Sequence, residues 1–270
     1  MIKRYHEAPK CIFNKVQQYT GGDYALVHLF ESDPEYLAMF QKAVADGRDV
    51  ILDNSIFELG TSFNHDRFAY WIKELQPTWY IVPDVWKDGK ATTAMFFEFM
   101  SKYPRGSLPG KIIGVAQGHT FAEVVECYKA IEPYCDMIAF NFDFSSYAPV
   151  PQIGIPHRLL MSIGRYQMLL DLAGSDVINW DKPHHLLGCG VPQELCWYPR
   201  HWTWVRSMDT CHPVMEAMVG RKYDTELPGQ FEKCPTKMCD MMDAPISDLI
   251  WIDIEHNLKC IASMEGYRPE

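Results

Sequence analysis

Several short apolar runs of this sequence each end in a residue that could do chemistry. These residues are Asp53, Asp84, Gln117, Asp143, Gly188, Cys189, Gly190 and Asp209. Two carboxylates suit a reaction at a glycosidic or similar carbon, because one attacks the carbon while the other transfers protons. The alternative is that each Asp caps the helix that follows it, since Asp is a preferred N-cap residue. Residue types and positions leave both interpretations open.

The apolar runs alternate with segments of helical periodicity, and this alternation predicts the fold. Predicted strands lie at residues 25–30, 50–54, 79–84, 111–118, 137–144, 184–190 and 204–209, with a weaker eighth at 11–16. Predicted helices lie at 66–75, 91–103, 121–131, 158–172 and 211–219. Alternating elements of this kind form parallel βαβ units, and eight strands in the first two hundred or so residues favour an α/β (β/α)8 TIM barrel. A doubly wound open sheet is the alternative. In a barrel, the strand-end residues meet at one mouth.

Composition and charge narrow the class of protein. With 270 residues, 47% of them hydrophobic and 22% charged, the chain can bury a full core, which excludes a disordered or collagen-like protein. Its net charge of −10 argues against a non-specific nucleic-acid binder, so any nucleic acid must bind at a local patch. The nine cysteines are an odd number in a long chain, which favours reduced thiols. Apolar runs long enough for a bilayer or a signal peptide are missing, so a cytoplasmic protein without a membrane partner is expected.

Four strings at the strand ends carry a family resemblance. D-N-S-I-F-E begins at Asp53, G-V-A-Q-G at Gly114, H-L-L-G-C-G-V-P-Q-E-L at His185 and S-M-D-T-C-H-P at Ser207. In this order they resemble the D-S-G-G-F-Q, G-I-V-Q-G, H-L-M-G-I-G-x-P-x-D-L and F-D-C-V-x-P-T motifs of the tRNA-guanine transglycosylases. With the C-terminal strings discussed below, the resemblance spans residues 50–262.

The resemblance implies a base-exchange enzyme that needs no organic cofactor. Asp209 would attack C1′ of a guanosine-type nucleotide and form a covalent glycosyl-enzyme, and Asp53 would be the general acid/base. Asp84 and Gln117 would hold the guanine-like edge by hydrogen bonds, while Phe57 would stack on the ring. The predicted substrate-binding set is completed by Gly118, Gly188, Cys189 and Gly190.

The chain departs from the family's motifs at several positions. Ser55 and Ile56 replace the two glycines of the first motif, and Glu58 replaces its glutamine. Residues 141–143 lack the family's glycine-rich loop, and Pro213 is followed by Val and Met instead of Thr and Arg. The missing glycine-rich loop indicates a rebuilt pocket wall near the 7-substituent of the incoming base, while the two replaced glycines bear on how closely the backbone approaches the base.

The C-terminal segment resembles the family's zinc site with one ligand changed. Cys234 and Cys239 match the outer cysteines, His256 matches the helix that follows, and Thr236 stands at the middle cysteine. Cys260 lies one helical turn after His256 and would be the fourth ligand of a structural zinc ion. The alternative is that these cysteines are small buried hydrophobic residues. We expect a catalytic barrel over residues 1–222 and a small zinc-site-like segment over 223–270, packed on the barrel.

The substrate polymer divides the family. A compact barrel with altered pocket motifs resembles the bacterial and phage branch that inserts 7-deazaguanines such as preQ0 into DNA, so DNA is favoured over tRNA, in a bacterial or phage-infected cytosol. Residues 196–206 interleave aromatic and basic side chains, which suits a single-stranded substrate or, alternatively, core packing. The sequence leaves open whether the chain acts as a monomer or a homodimer.

Other functions stay open at this stage. The same carboxylates with water as acceptor would make a glycoside hydrolase or nucleosidase, which would release guanine without an incoming base. A non-catalytic nucleic-acid-binding relative is a further alternative, because a fold does not prove an activity. A zinc hydrolase built on His184 and His185 is disfavoured, since adjacent residues of a strand point to opposite faces.

Overall fold

The computed structural model describes residues 2–151, 153–223, 234 and 236–269, and its strands form one sheet. They are β1 (Lys3–Tyr5), β2 (Asp23–Leu26), β3 (Val50–Asp53), β4 (Trp79–Ile81), β5 (Lys111–Ala116), β6 (Met137–Phe140), β7 (His184–Leu186) and β8 (Val205–Asp209). The hydrogen-bonded order is β1-β8-β7-β6-β5-β4-β3-β2. With helices following the strands, this is the predicted α/β (β/α)8 barrel.

Several of the α-helices begin at residues whose side chains cap them. They are α1 (Phe13–Val16), α2 (Pro34–Ala45), α3 (Ile56–Leu59), α4 (His65–Leu75), α5 (Gly89–Lys102), α6 (Phe121–Ile131), α7 (His157–Gly174), α8 (His212–Met218) and α9 (Asp248–Ser263). Asn64 caps α4, Asp88 caps α5, and Thr120 with Glu123 forms a capping box on α6. Each cap satisfies backbone N–H groups that have no partner within the helix, and so sets where the helix starts.

The strands are apolar on both faces, as a barrel requires. All four residues of β3 and of β6 are buried. Helices cover the outer face of such a strand and layers of side chains fill the inner face, so neither face is left to polar residues. In these two strands polar residues come at the end, since Asp53 closes β3 and Asn141 follows β6, and such ends stand out in the sequence.

The described chain groups into two compact units. The first comprises Met1–Gly21, Asn141–Asp181 and Leu186–Glu270, and the second comprises Gly22–Phe140 and Lys182–His185. Within the first unit α9 packs on α8, where the buried Asn257 side chain donates to the carbonyls of Pro213 (3.1 Å) and Arg221 (3.2 Å). The division expected at residues 222 and 223 stays a prediction, and most of the linker-like stretch 223–235 lies outside the described residues.

Two of the predicted strands were misplaced. Residues 11–16 are a 3-10 turn followed by α1, because Ile12 and Val16 are spaced four apart and bury on one helical face. The strand that precedes β2 is β1, and its charged residues Lys3 and Arg4 interrupt the apolar pattern by which a strand is recognised. Strand β2 begins at Asp23, and residues 27–31 form a 3-10 helix.

The five predicted helices are confirmed as α4 to α8, while α2 was not predicted. No helix in the described part of the chain combines the length and apolar character that crossing a bilayer demands. All nine cysteines are among the described residues, and none of them forms a disulfide.

Candidate active site

In the first unit, Asp209 ends β8 with its carboxylate held by the loop after β7. The N–H of Gly188 donates to Asp209 Oδ1 at 2.9 Å, and the Asp209 side chain is buried. At the start of α8, the Thr210 hydroxyl accepts from the His212 N–H (3.0 Å) and donates to the Cys189 carbonyl (3.0 Å). Asp209 is thus joined to a loop 21 residues earlier in the chain, while Thr210 contributes to the turn into α8.

A buried histidine adjoins Asp209 and was not predicted. His6 follows β1, and its ring Nδ1 lies 3.0 Å from the Thr210 carbonyl oxygen. Since a carbonyl only accepts, Nδ1 carries the proton. Burial lowers the pKa of His6 to about 4, with Arg4 lowering it further and the Thr210 hydrogen bond and Asp209 opposing. His6 is therefore neutral at pH 7 and brings no positive charge to Asp209.

In the second unit, Asp84 lies between two amide side chains. Asn54 Nδ2 donates to one carboxylate oxygen at 2.8 Å and Gln117 Nε2 donates to the other at 2.7 Å. The Ser62 hydroxyl accepts from the Asp84 N–H at 3.0 Å. The side-chain oxygen of Gln117, Oε1, accepts from the Lys87 N–H at 3.0 Å. The predicted pair of Asp84 and Gln117 is thus brought together, and Asn54 joins it as a residue that the sequence did not single out.

Burial raises the pKa of Asp84 above its ordinary value, while the hydrogen bonds from Asn54 and Gln117 act in the opposite direction. The folded state therefore holds the Asp84 proton more tightly than the unfolded state does. This contribution to the free energy of unfolding is complete below pH of about 4, the ordinary Asp pKa, and is lost as pH rises through the folded-state pKa.

We predict that the unfolding free energy of the wild type, minus that of Asp84→Asn, falls as pH rises above about 4. Urea unfolding of both proteins at a series of pH values measures this difference. A difference that grows with pH would show that Asp84 is held as a stabilised carboxylate instead.

Asp53 ends β3 in the second unit and has two hydrogen-bond donors. Tyr24 Oη donates at 3.1 Å and the Ser55 N–H donates at 2.8 Å. The Tyr24 ring lies nearly parallel to the buried His185 ring, with centroids 6.4 Å apart. The bond to Ser55 belongs to the turn into α3, and the Tyr24 hydroxyl is a donor that reaches Asp53 from β2.

Left-handed backbone follows both β3 and β4. Ser55 and Lys87 each have a φ of 60°, which a residue with a side chain adopts at a cost of about 1–3 kcal/mol. Ser55 is one of the two positions where the resembled motif has glycine, so the backbone keeps a glycine-like conformation there without glycine. Strain of this kind concentrates at functional sites, because the surrounding structure must hold it in place.

An aromatic pair lies next to these strained residues. The rings of Phe57 in α3 and Trp86 after β4 meet edge to face with centroids 5.8 Å apart. Trp86 is 38% exposed, and the Lys87 ammonium lies 6.0 Å from its ring centroid. The predicted stacking residue Phe57 thus has an exposed aromatic and a cation beside it, and Trp86 is a residue that the motif comparison missed.

The remaining predicted substrate residues have mainly structural contacts. A Cβ on Gly118 would lie 2.8 Å from the Val124 backbone nitrogen, so α6 requires a glycine there. The Cys189 thiol is buried and donates to the Val191 carbonyl at 3.2 Å, and Gly190 lies near Arg158. Asp143 accepts from the N–H and hydroxyl of Ser145, at 3.0 and 2.6 Å.

Tyr198, Trp202 and Trp204 of residues 196–206 are core residues, whereas Trp197 is half-buried. Trp204 is fully buried, Trp202 is 4% exposed, and their rings stack with centroids 5.1 Å apart. The structure therefore contradicts a nucleic-acid surface made of these rings. Tryptophan is a large apolar residue whose burial outweighs what its spacing beside basic residues suggests.

The predicted zinc ligands are only partly brought together. Cys260 Sγ lies 3.4 Å from His256 Nε2, and that nitrogen also bonds the Tyr223 carbonyl oxygen. Cys234 Sγ lies 3.4 Å from the Thr236 hydroxyl, and Cys239 Sγ lies 3.8 Å from an Asp240 carboxylate oxygen. Among the described residues, no three ligand side chains converge as a metal ion needs. The zinc ion stays a prediction.

The predicted residues fall into two clusters. The first unit holds Asp209, Gly188, Cys189 and Gly190, and the second holds Asp53, Phe57, Asp84, Gln117 and Gly118. A scan against models of known protein families and a search of curated proteins found no match to this chain.

Proposed function

We propose that this protein is a transglycosylase that exchanges guanine in DNA for a free 7-deazaguanine base through a covalent intermediate on Asp209. The observation that carries the proposal is the buried Asp209 carboxylate, which ends β8 and accepts a hydrogen bond from the Gly188 N–H. The four strings at the strand ends support the same assignment. A hydrogen bond to one carboxylate oxygen orients the other for attack, as nucleophilic catalysis requires.

The proposed reaction has two displacements at C1′. In the first, an Asp209 oxygen forms a bond to C1′ while the C1′–N9 bond breaks, and Asp53 gives its proton to the leaving guanine. In the second, Asp53 takes the N9 proton of the incoming base, whose nitrogen bonds C1′ as the bond to Asp209 breaks. The enzyme is regenerated and the configuration at C1′ is retained, without any oxidant or reductant.

Asp84, Asn54 and Gln117 are proposed to recognise the base. Each carboxylate oxygen of Asp84 accepts one amide N–H, and a carboxylate oxygen has lone pairs for a second donor. The N1–H and exocyclic amine of a guanine-like edge are such donors. The two amides fix the carboxylate plane, so the base is read by a rigid acceptor and an analogue lacking the amine is disfavoured.

The proposal is tested by incubating the protein with radiolabelled guanine and, in separate reactions, DNA or tRNA. Label in DNA supports the proposal, whereas label in tRNA alone would replace DNA with tRNA as substrate. Release of free guanine from unlabelled DNA without uptake would indicate a nucleosidase, and no reaction with either polymer would favour a binding protein. For variants of Asp209, the matched control is Asp171→Asn, since Asp171 is a partly buried carboxylate that accepts hydrogen bonds from Tyr147 and Gln167.

We predict that Trp86→Ala weakens binding of single-stranded DNA. Stacking of a base on an exposed aromatic contributes about 1–3 kcal/mol, and Trp86 and Lys87 supply a ring and a cation next to the predicted base-stacking Phe57. Fluorescence anisotropy of a labelled oligonucleotide measures the change in Kd. Trp180→Ala is the control, because Trp180 is equally exposed at 42% and meets Trp204 edge to face at 6.0 Å. Equal losses in both variants would assign no stacking role to Trp86.

A further inference from the structure

We infer that Arg165 is a positioning residue for Asp209 and acts through the peptide group that joins Leu187 to Gly188. This inference rests on the proposed role of Asp209 as nucleophile. Arg165 belongs to α7 and is 1% exposed. Nothing in the sequence marks it, because an arginine inside a helical segment reads as an ordinary surface residue.

One peptide group connects the two side chains. Arg165 Nη1 donates to the Leu187 carbonyl oxygen at 2.7 Å, and the N–H of the same peptide, on Gly188, donates to Asp209 Oδ1 at 2.9 Å. Arg165 Nη2 donates to the next carbonyl, that of Gly188, at 2.8 Å. The guanidinium thus grips two successive carbonyls of the loop and fixes the direction of the N–H between them.

The charge of Arg165 adds to this geometric effect. A cation at the carbonyl oxygen polarises the peptide, and polarised hydrogen bonds in a buried chain strengthen one another. The Gly188 N–H therefore becomes a stronger donor to the Asp209 carboxylate, which favours a well-oriented nucleophile. One peptide group separates the Arg165 guanidinium from the Asp209 carboxylate, so the two groups act on each other through that peptide.

Glu194 compensates the positive charge of the buried Arg165 guanidinium. Its carboxylate accepts from Arg165 Nε at 2.6 Å and from Nη2 at 2.9 Å, and also accepts from the Tyr198 hydroxyl. This fork-to-fork pairing holds the guanidinium plane at a fixed angle. Lysine is a point charge on a flexible stem and would reach one carbonyl, but it cannot reproduce the fork.

The loop itself needs this restraint. Gly188 has a φ of 60°, a conformation that residues with side chains rarely adopt, and a Cβ there would lie 3.3 Å from the Phe142 Cβ. Glycine has more freedom in the unfolded chain than any other residue, so its conformation must be imposed by neighbours. The Arg165 contacts on both flanking carbonyls impose it.

The experiment compares Arg165→Lys and Arg165→Met with the wild type by two measurements. The first is the 15N–1H resonance and hydrogen-exchange protection of the Gly188 amide. The second is kcat and KM for the incoming base in the exchange assay. We expect loss of Gly188 protection and a fall in kcat of about 10²-fold, the effect of a misplaced reacting group. KM should stay unchanged, and Arg165→Lys should lie between the wild type and Arg165→Met.

Arg48→Met is the matched control, since Arg48 makes a comparable two-bond pair with the buried Asp23. It should leave both the Gly188 amide and kcat unchanged. If Arg165→Met does not fold, Arg165→Met combined with Glu194→Met removes both buried charges and takes its place.

An unchanged Gly188 amide, or a raised KM with wild-type kcat, would overturn the inference. If the wild type exchanges no base at all, the proposed function fails. The amide measurement on Arg165 and Asp209→Asn variants then still decides whether Arg165 and Asp209 are coupled through this peptide.

Discussion

Replacing Asp209 with Ala is expected to abolish the covalent adduct with DNA and to lower the rate of base exchange by about 10⁴-fold or more, as loss of a nucleophile does. The carboxylate oxygen is the atom proposed to bond C1′, so the variant lacks the atom that forms the adduct. His6, which adjoins it, is held neutral by burial and uses its Nδ1 proton on the Thr210 carbonyl. The adduct is measured as a shifted protein band after denaturation.

Asp209→Asn sharpens this test, because the amide oxygen still accepts from the Gly188 N–H and only the nucleophilic charge is lost. Both variants should keep the wild-type unfolding transition within the range of Asp171→Asn. Full exchange activity in Asp209→Ala would show that the nucleophile is another residue, and the assignment of Arg165 as its positioning residue would fall with it.

Replacing Asp53 with Ala is expected to leave the trapped adduct detectable while stopping turnover. General acid–base catalysis by one side chain contributes about 10²–10⁴-fold, so the loss lies in that range. Without Asp53 both displacements lose their proton-transfer group. The adduct forms more slowly, and the incoming base, which keeps its N9 proton, reacts with it slowly enough for the adduct to be trapped. Single-turnover gels, which follow the adduct over time, separate adduct formation from its breakdown.

Tyr24→Phe is a milder variant that tests the same acid/base role of Asp53. It removes the hydroxyl that donates to Asp53 at 3.1 Å but leaves the ring beside His185. A smaller fall in turnover than in Asp53→Ala is expected, since the carboxylate loses a donor but remains. Wild-type turnover in Asp53→Ala would show that another group moves the proton, and the acid/base assignment would be wrong.

The alternation of apolar runs and helical segments was sufficient to predict the barrel, because each strand is buried on both faces and reads as a short apolar run. It failed at the first strand. Lys3 and Arg4 interrupt the apolar pattern of β1, while Ile12, Phe13 and Val16 imitate a strand although their spacing buries them as a helix. The local sequence pattern cannot decide between a strand and a short helix here, since burial depends on which other elements pack against the segment.

Local sequence identified some of the candidate site residues and missed others. The residue types at the strand ends and the order of the motifs were sufficient to predict Asp53, Asp84, Gln117 and Asp209 as candidates. Asn54 and Trp86 lie within two residues of these positions, so a search of the residues after each strand would have found them. For the tryptophans of residues 196–206, the sequence left open whether the rings stack on a nucleic acid or pack in the core. Spacing alone does not show that Trp202 and Trp204 are buried.

By itself, the sequence determined the barrel and the strand-end carboxylates, because both follow from short-range patterns of burial and polarity. Only the tertiary structure decided what holds each carboxylate. The amides on Asp84 come from positions 30 and 33 residues away, and the peptide on Asp209 and the arginine behind it come from 21 and 44 residues away. Hydrogen bonds across such separations leave no periodicity in the chain, since they depend on which strands and helices become neighbours when the barrel forms.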